Sequence, residues 1–179
     1  MDLMGNSRLG SRGDAAVVAL GNPYRTDDGV GIAVLRALGG ETGVPSSVTG
    51  DRSHVDHGSS AGSYHLVESA HGGMPLAQTL VGLRRALVVD AAPFLPPGQL
   101  SLFPIADGSP IPDQVGWLHG LGLAEALAAL AHAGLPVPEC WALAIGVPAD
   151  PPFGEELSPS VARAVPRAVE EVKQWLTRQ

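Results

Sequence analysis

The chain has 179 residues, with 11 Lys and Arg against 18 Asp and Glu, and its formal net charge is −7. Binding to a nucleic-acid backbone needs clustered basic residues, so this acidic balance argues against DNA or RNA as the main partner. Apolar residues make up 45% of the chain and aromatic residues 4%, which is sufficient for one domain with a mostly aliphatic core.

The cysteine content and the N-terminal sequence bear on the cellular compartment of the protein. One cysteine, Cys140, excludes an intrachain disulfide and a structural zinc site built on several cysteines. No apolar run reaches the length of a membrane span, and residues 1–14 lack the apolar segment of a signal peptide. We therefore expect a cytoplasmic protein, with a flexible N-terminal segment at 1–14 and a single domain over 15–179.

The first predicted elements are a buried strand, a polar turn and a helix. The apolar run AAVVAL at 15–20 predicts the strand, and apolar residues at helical spacing within 29–40 predict the helix. Gly39 and Gly40 are the predicted end of that helix. Residues 41–62 are rich in Gly, Ser and His and hold few large apolar groups, so we expect an irregular loop insertion there.

The rest of the chain alternates predicted strands and helices. In the last helix, Ser158 is the expected cap, Pro159 suits the first position and Pro166 is expected to introduce a kink. Alternation of this kind predicts a mostly parallel sheet covered by helices on both faces. The predicted strands are at 63–69, 85–91, 99–105 (an edge strand) and 140–147, and the predicted helices are at 75–83, 119–134 and 158–176.

Polar side chains of metal-ligand type stand at three strand-to-helix corners. Asp27 and Asp28 follow the first strand, Asp90 ends a later one, and His119 begins a helix. Ligands of open parallel sheets bind beyond the carboxyl ends of the strands, so Asp28 and Asp90 should share one edge. Two carboxylates and one imidazole suit a divalent metal such as Zn, Ni, Mn or Fe.

Each of these residues also has an ordinary structural explanation. An Asp at a helix start caps the helix by accepting backbone N–H groups. One Asp is enough for a cap, so the second of the pair Asp27 and Asp28 is the more informative. Asp90 alone is typical of a turn, and His119 alone is typical of a helix start. The spacing by itself leaves both explanations open.

Four segments, in this order, resemble the hydrogenase maturation endopeptidases. They are GNPYRTDDGVG after a strand, VVDA after another strand, HGLGLAEAL at a helix start, and IGVPADPPFGEELSPSVARAV near the end. The resemblance extends from about residue 15 to residue 176. It implies a three-layer α/β/α sandwich of the phosphorylase/hydrolase-like kind around a mostly parallel five-stranded sheet. It also implies an endopeptidase that removes the C-terminal extension of a [NiFe] hydrogenase large-subunit precursor after nickel insertion.

Carried over position by position, the resemblance implies that Asp28, Asp90 and His119 contact the nickel. The same three residues are the candidates for catalysis, and no nucleophile is assigned. Asp27 is then either a helix cap or a residue that orients the neighbouring metal contact. The nickel is expected to be carried by the substrate, with no organic cofactor. The expected partner is the hydrogenase large-subunit precursor, with no nucleic acid and no membrane.

The chain departs from the family pattern after the second predicted strand. Members commonly carry an Asp-Gly dipeptide there, whereas this chain has HGSSAG at 57–62 or HGGMP at 71–75, each with His in place of Asp. The distance to Asp90 favours His71 as the equivalent residue, which makes 41–62 an insertion. The departure bears on substrate docking or on the catalytic assembly near that loop.

A serine α/β-hydrolase is the alternative enzyme. GSSAG at 58–62 matches the Gly-x-Ser-x-Gly nucleophile elbow with Ser60 as the nucleophile. Asp90 and His119 then follow in the chain order of that class. The elbow requires a buried strand before it and a helix after it, whereas the preceding GDRSHVDH is polar.

A non-catalytic nickel-binding accessory protein is the alternative outside the enzymes. Its metal site would lie in a His-rich tract, which is also explained as a solvated loop. A phosphate-binding loop at Gly29 and Gly31 is disfavoured by the preceding acidic pair and by the incomplete dinucleotide and Walker patterns. The tract contains His54, His57, His65 and His71, with Asp51, Asp56 and Glu68 among them.

Overall fold

The computed structural model describes residues 15–43, the backbone of 47–48, and residues 64–105 and 122–178. In this part of the chain, one sheet of six strands lies between helices. The strands are Ala15–Leu20 (β1), Ser47–Val48 (β2), Tyr64–Ser69 (β3), Arg85–Ala92 (β4), Leu100–Ile105 (β5) and Glu139–Gly146 (β6). The helices are Val30–Thr42 (α1), Gly73–Leu80 (α2), Leu123–His132 (α3), Pro159–Ala162 (α4) and Val165–Thr177 (α5), and a short 3-10 helix covers Thr26–Gly29.

The strands lie in the order β2-β3-β1-β4-β6-β5 across the sheet. All neighbouring strands are parallel except β5 and β6, which are antiparallel. The five predicted strands correspond to β1, β3, β4, β5 and β6, and β2 adds two residues beside β3. Because β1, β3, β4 and β6 run in the same direction, their carboxyl ends lie on one edge of the sheet, which we call the carboxyl edge.

Alternate residues of the central strands face two different layers of helices. In β1, Val17 and Ala19 pack into a core with α1 and α5, whereas Ala16 and Val18 pack into a core with α2 and α3. This confirms the predicted three-layer α/β/α sandwich. None of the helices in the described ranges is long and apolar enough to cross a lipid bilayer.

Helix α1 continues through the predicted stop at Gly39 and Gly40. It ends at Thr42, and the next residue, Gly43, has a left-handed φ of 72° and donates its N–H to the carbonyl of Gly39 at 2.8 Å. The predicted end is wrong because paired glycines weaken a helix interior without imposing the left-handed conformation that terminates it. The expected irregular segment 41–62 therefore contributes the end of α1 and also strand β2. Its other residues and the predicted flexible N-terminal segment lie outside the described residues.

The predicted closing helix is divided into α4 and α5, which two residues separate. Pro166 lies in the first turn of α5, where the missing N–H of a proline costs no hydrogen bond. The interruption expected at Pro166 is confirmed, and it takes the form of a break between α4 and α5. Pro159 begins α4 as predicted. Ser158 occupies the N-cap position of α4 as predicted, but its side chain makes no capping hydrogen bond, and its Oγ lies 3.3 Å from Ser160 Oγ.

The start of α1 lies directly against the carboxyl ends of β1 and β4. A Cβ atom at Gly31 would stand 2.6 Å from the carbonyl oxygens of both Leu20 and Val89. These distances are far shorter than a van der Waals contact, so only glycine permits the approach. The backbone of β4 at Val89 therefore meets the helix that follows the acidic turn.

Replacing Gly31 by Ala is expected to lower the free energy of unfolding by about 1–3 kcal/mol, because the added methyl group must displace two backbone carbonyls. Gly40→Ala in the same helix is the matched control, since a Cβ at Gly40 meets nothing within 4 Å. That control is expected to raise the free energy of unfolding by about 0.5–1 kcal/mol, because Gly is the poorer helix former. Urea unfolding measures both changes, and equal stabilities of the two variants would contradict the close approach at Gly31.

Candidate functional site

The acidic turn between β1 and α1 is closed by its own hydrogen bonds. Asp28 Oδ2 accepts the N–H of Asn22 at 2.9 Å. The side-chain Oδ1 atom of Asn22 accepts the N–H of Tyr24 at 3.0 Å. The backbone carbonyl of Asn22 accepts the N–H of Arg25 at 3.0 Å. These bonds hold the carboxylate of Asp28 in a fixed orientation beyond the carboxyl end of β1.

Asp90 lies on β4, two residues before the end of the strand, and it is fully buried. Its Oδ1 atom accepts the N–H of the following residue, Ala91, at 2.8 Å. Strand β4 is a neighbour of β1, and the approach of Gly31 to Val89 brings the start of α1 to the residue before Asp90. The structure thus places Asp28 and Asp90 beside adjacent strands on the carboxyl edge, as a parallel sheet predicts.

The third predicted metal contact, His119, lies outside the described residues. Helix α3 begins at Leu123, after Gly122 with a φ of 96°, so the described helix starts four residues later than His119. Within the described ranges, no three His, Cys, Asp or Glu side chains are grouped closely enough to hold a metal ion. The metal role of Asp28, Asp90 and His119 therefore stays a prediction.

Asp27 has a different environment from its neighbour. Its exposed fraction is 2%, and its Oδ1 atom accepts the N–H of Ser158 at 2.7 Å. The prediction that Asp27 caps a helix is wrong, because it lies inside the 3-10 helix and Gly29 is the residue that precedes α1. Asp27 instead joins the acidic turn to the residue before α4. The alternative, that it orients the neighbouring Asp28, stays a prediction.

Two loops at the carboxyl edge are hydrogen-bonded to each other, and we call residues 22–28 and 150–158 the paired loops. The first follows β1 and the second follows β6. The N–H of Thr26 donates to the carbonyl of Gly154 at 2.7 Å, and the N–H of Gly154 donates to the carbonyl of Tyr24 at 3.0 Å. Thr26 has a left-handed φ of 37°, which such a reciprocal backbone pairing can maintain against its conformational cost.

Arg25 lies between the paired loops. Its guanidinium donates to Asp150 Oδ1 at 3.2 Å and to the carbonyl of Pro151 at 3.4 Å, and its Cζ atom lies 5.6 Å from the centre of the Phe153 ring. The side chain of Asp150 is 94% exposed, so this ion pair contributes little free energy. Sequence reasoning missed these contacts because Arg25 and Asp150 are 125 residues apart, and no local pattern indicates such a pair.

Ser60 lies outside the described residues, which resume at Tyr64. β3 begins at Tyr64, four residues after Ser60. A nucleophile elbow leads from its serine directly into a helix, whereas the first described element after Ser60 is a strand. Because Ser60 and His119 both lie outside the described part of the chain, the serine-hydrolase interpretation with Ser60, Asp90 and His119 stays a prediction.

The described members of the His-rich tract lie in separate environments. His65 is buried within β3. Glu68 accepts two hydrogen bonds of 3.0 Å from the guanidinium of Arg36. His71 is exposed after the end of β3, where its N–H donates to Ser69 Oγ at 3.3 Å. The members of the tract outside the described residues are Asp51, His54, Asp56 and His57.

Comparison with known proteins decides the family. Residues 56–175, about two thirds of the chain, match the family described as HycI, hydrogenase maturation protease. The chain belongs to the hydrogenase maturation protease family. No protein with a curated description matches the chain.

Solved structures of hydrogenase maturation proteases share the fold of this family member. The hydrogenase maturating endopeptidase HybD from E. coli is 20% identical over 91% of each chain, with a TM-score of 0.61. HybD from Thermococcus kodakarensis is 22% identical over 91% of this chain and 99% of that chain, with a TM-score of 0.59. HycI from the same organism is 18% identical over 98% and 96%, with a TM-score of 0.57. At such identities the similarity shows the fold.

The single cysteine of this maturation protease lies away from the carboxyl edge. Cys140 is the second residue of β6 and is buried near the opposite end of that strand. Burial raises the pKa of its thiol to about 12. A thiol of this kind is protonated and unreactive at neutral pH, so Cys140 is not suited to be the nucleophile of the protease.

Replacing Asp27 by Ala is expected to lower the free energy of unfolding by about 1–3 kcal/mol, because the N–H of Ser158 loses its acceptor. Asp150→Ala removes an exposed carboxylate from the other side of the paired loops, and its effect is expected to stay within about 0.5 kcal/mol. Unfolding in guanidinium chloride measures both. An unchanged stability for Asp27→Ala would show that the bond to Ser158 contributes nothing.

Cys140 is expected to react with a disulfide reagent at pH 8 about 1000-fold more slowly in the native protein than in guanidinium chloride, because the folded thiol is protonated. The raised pKa also means that the stability gained from the neutral thiol is complete below about pH 8.5 and is lost as the pH rises toward 12. Absorbance of the released aromatic thiol follows the reaction, and rapid labelling of the native protein would contradict the burial of Cys140.

Proposed function

We propose that this protein removes the C-terminal extension from the large-subunit precursor of a [NiFe] hydrogenase, after nickel has entered the precursor. The nickel is part of the substrate, and Asp28, Asp90 and His119 contact it. Membership of the hydrogenase maturation protease family supports the peptidase activity. The name of the similar T. kodakarensis structure, a [NiFe] hydrogenase maturation protease, supports the class of hydrogenase.

The observation that carries the proposal is the placement of Asp28 and Asp90 beside adjacent strands of the carboxyl edge. Asp28 is held there by the N–H of Asn22, and Asp90 by the N–H of Ala91. Carboxylate oxygens are suitable ligands for a divalent cation, and burial of Asp90 strengthens its interaction with a positive charge. A cation also offsets the cost of burying an ionised carboxylate.

The two carboxylates bring the substrate's nickel to the carboxyl edge together with the peptide bond near it. A divalent metal beside an amide polarises the carbonyl or activates a water molecule, and it also positions the peptide for attack. Asp28 and Asp90 act in either case as anionic contacts on fixed backbone elements. The single cysteine fits a reducing compartment, and the proposed location is the cytoplasm.

Asp28→Asn and Asp90→Asn are each expected to slow cleavage of the nickel-loaded precursor about 100-fold, which corresponds to about 2.7 kcal/mol. The amide removes the negative charge, and it keeps an oxygen that can accept the N–H of Asn22 or Ala91. The size shift of the large subunit on a gel measures the rate. Nickel-free precursor is expected to stay uncleaved by the wild-type protein.

Glu170→Gln is the matched control, because it removes an exposed carboxylate from α5, where Glu170 pairs with Lys173. Its cleavage rate is expected to equal that of the wild type. Cleavage that proceeds equally with and without nickel would refute the nickel part of the proposal. A wild-type rate for Asp28→Asn would refute the assignment of Asp28 as a contact.

A further inference from the structure

Exposed large apolar side chains are concentrated at the carboxyl edge. Within the described ranges there are four of them: Tyr24, with 66% of its surface exposed, Phe153 with 85%, Met74 and Leu135. Tyr24 follows β1, Met74 follows β3 and Phe153 follows β6, whereas Leu135 lies between α3 and the start of β6. Contiguous apolar surface on a soluble protein marks an interaction site. Because three of these four side chains follow strands at the carboxyl edge, we expect an interaction site at the edge that carries Asp28 and Asp90.

The two most exposed of these four apolar side chains, Tyr24 and Phe153, stand on the paired loops. The carbonyl of Tyr24 accepts the N–H of Gly154, the residue after Phe153, at 3.0 Å. Asp27 fixes the other end of the second loop through the N–H of Ser158. The two aromatic side chains are thus presented on a backbone that is already ordered, which lowers the entropic cost of binding a partner.

The charge around these side chains favours an uncharged apolar group. The guanidinium of Arg25 lies over the ring of Phe153 and is paired with Asp150. Its positive charge is therefore compensated, and its stacking restrains the ring. A surface of two aromatic rings with a neutralised cation suits a large aliphatic or aromatic side chain better than an acidic one.

Tyr24 is also close to the candidate site. Asn22 donates its N–H to Asp28 and accepts the N–H of Tyr24, so one residue connects the carboxylate to the aromatic side chain. An extended peptide spans about 3.3–3.6 Å for each residue. A segment bound over Tyr24 and Phe153 is therefore within a few residues of a bond held beside Asp28.

We propose that Tyr24 and Phe153 bind a large apolar side chain of the precursor, in the segment next to the bond that is cut. The inference rests on the proposed function and adds the residues that select the substrate. The two rings contribute to binding of the precursor before and during cleavage, and they take no part in the chemistry. Their loss consequently raises KM and leaves kcat unchanged.

The test measures kcat and KM for cleavage of the nickel-loaded precursor by the Tyr24→Ala/Phe153→Ala double variant. We expect KM to rise about tenfold or more and kcat to stay within about twofold of the wild type. Tyr24→Phe/Phe153→Leu preserves apolar bulk and is expected to restore KM to within about threefold of the wild type. Leu135→Ala is the matched control, because it removes an exposed apolar side chain away from the carboxyl edge.

The outcomes separate this inference from the proposed function. Wild-type cleavage together with an unchanged KM for the double alanine variant would overturn the inference and leave the proposed function standing. A fall in kcat at constant KM would overturn it too, because the rings would then act after binding. Failure of the wild-type protein to cleave nickel-loaded precursor would refute the proposed function and the inference with it. With a precursor whose apolar residues beside the cut are changed to Ser, KM should rise for the wild-type protein. For the double alanine variant, the same precursor should give no further rise in KM above the value for the unchanged precursor.

Discussion

The candidate site depends on one close contact between a helix and the sheet. Gly31 has no side chain, so the start of α1 can lie against the backbone carbonyls of Leu20 and Val89. That contact leaves the preceding turn over the ends of β1 and β4. Asp28 and Asp90, which are 62 positions apart in the chain, belong for this reason to the same edge of two paired strands. A side chain at Gly31 would push the turn away from β4.

The pair Asp27 and Asp28 shows how adjacent carboxylates acquire different environments. They lie in a 3-10 helix, in which successive side chains point about 120° apart because each turn has three residues. Asp27 consequently points into the protein and accepts the N–H of Ser158, whereas Asp28 points back along the turn and accepts the N–H of Asn22. The first connects two loops, and the second remains at the edge where a substrate would arrive.

Sequence reasoning located the features that depend on local pattern. The apolar runs predicted the long strands, and the direction of a parallel sheet predicted that Asp28 and Asp90 share an edge. The contacts of Asp27 with Ser158 and of Arg25 with Asp150 could not be predicted, because their partners are 131 and 125 residues away. The end of α1 was misplaced because the left-handed conformation of Gly43, rather than the presence of glycine, terminates the helix.

The separation of the paired loops along the chain affects when this edge can form during synthesis and folding. Both candidate carboxylates are present once the first 90 residues have been synthesised, but strand β6 and the loop after it come more than 45 residues later. Contacts of such long range form late, because the intervening chain must first be ordered. A nascent or truncated chain that stops before Asp150 would carry both acidic residues without the second loop, which is bonded to the turn that holds Asp28. Completion of the proteolytic edge is thereby linked to completion of the polypeptide.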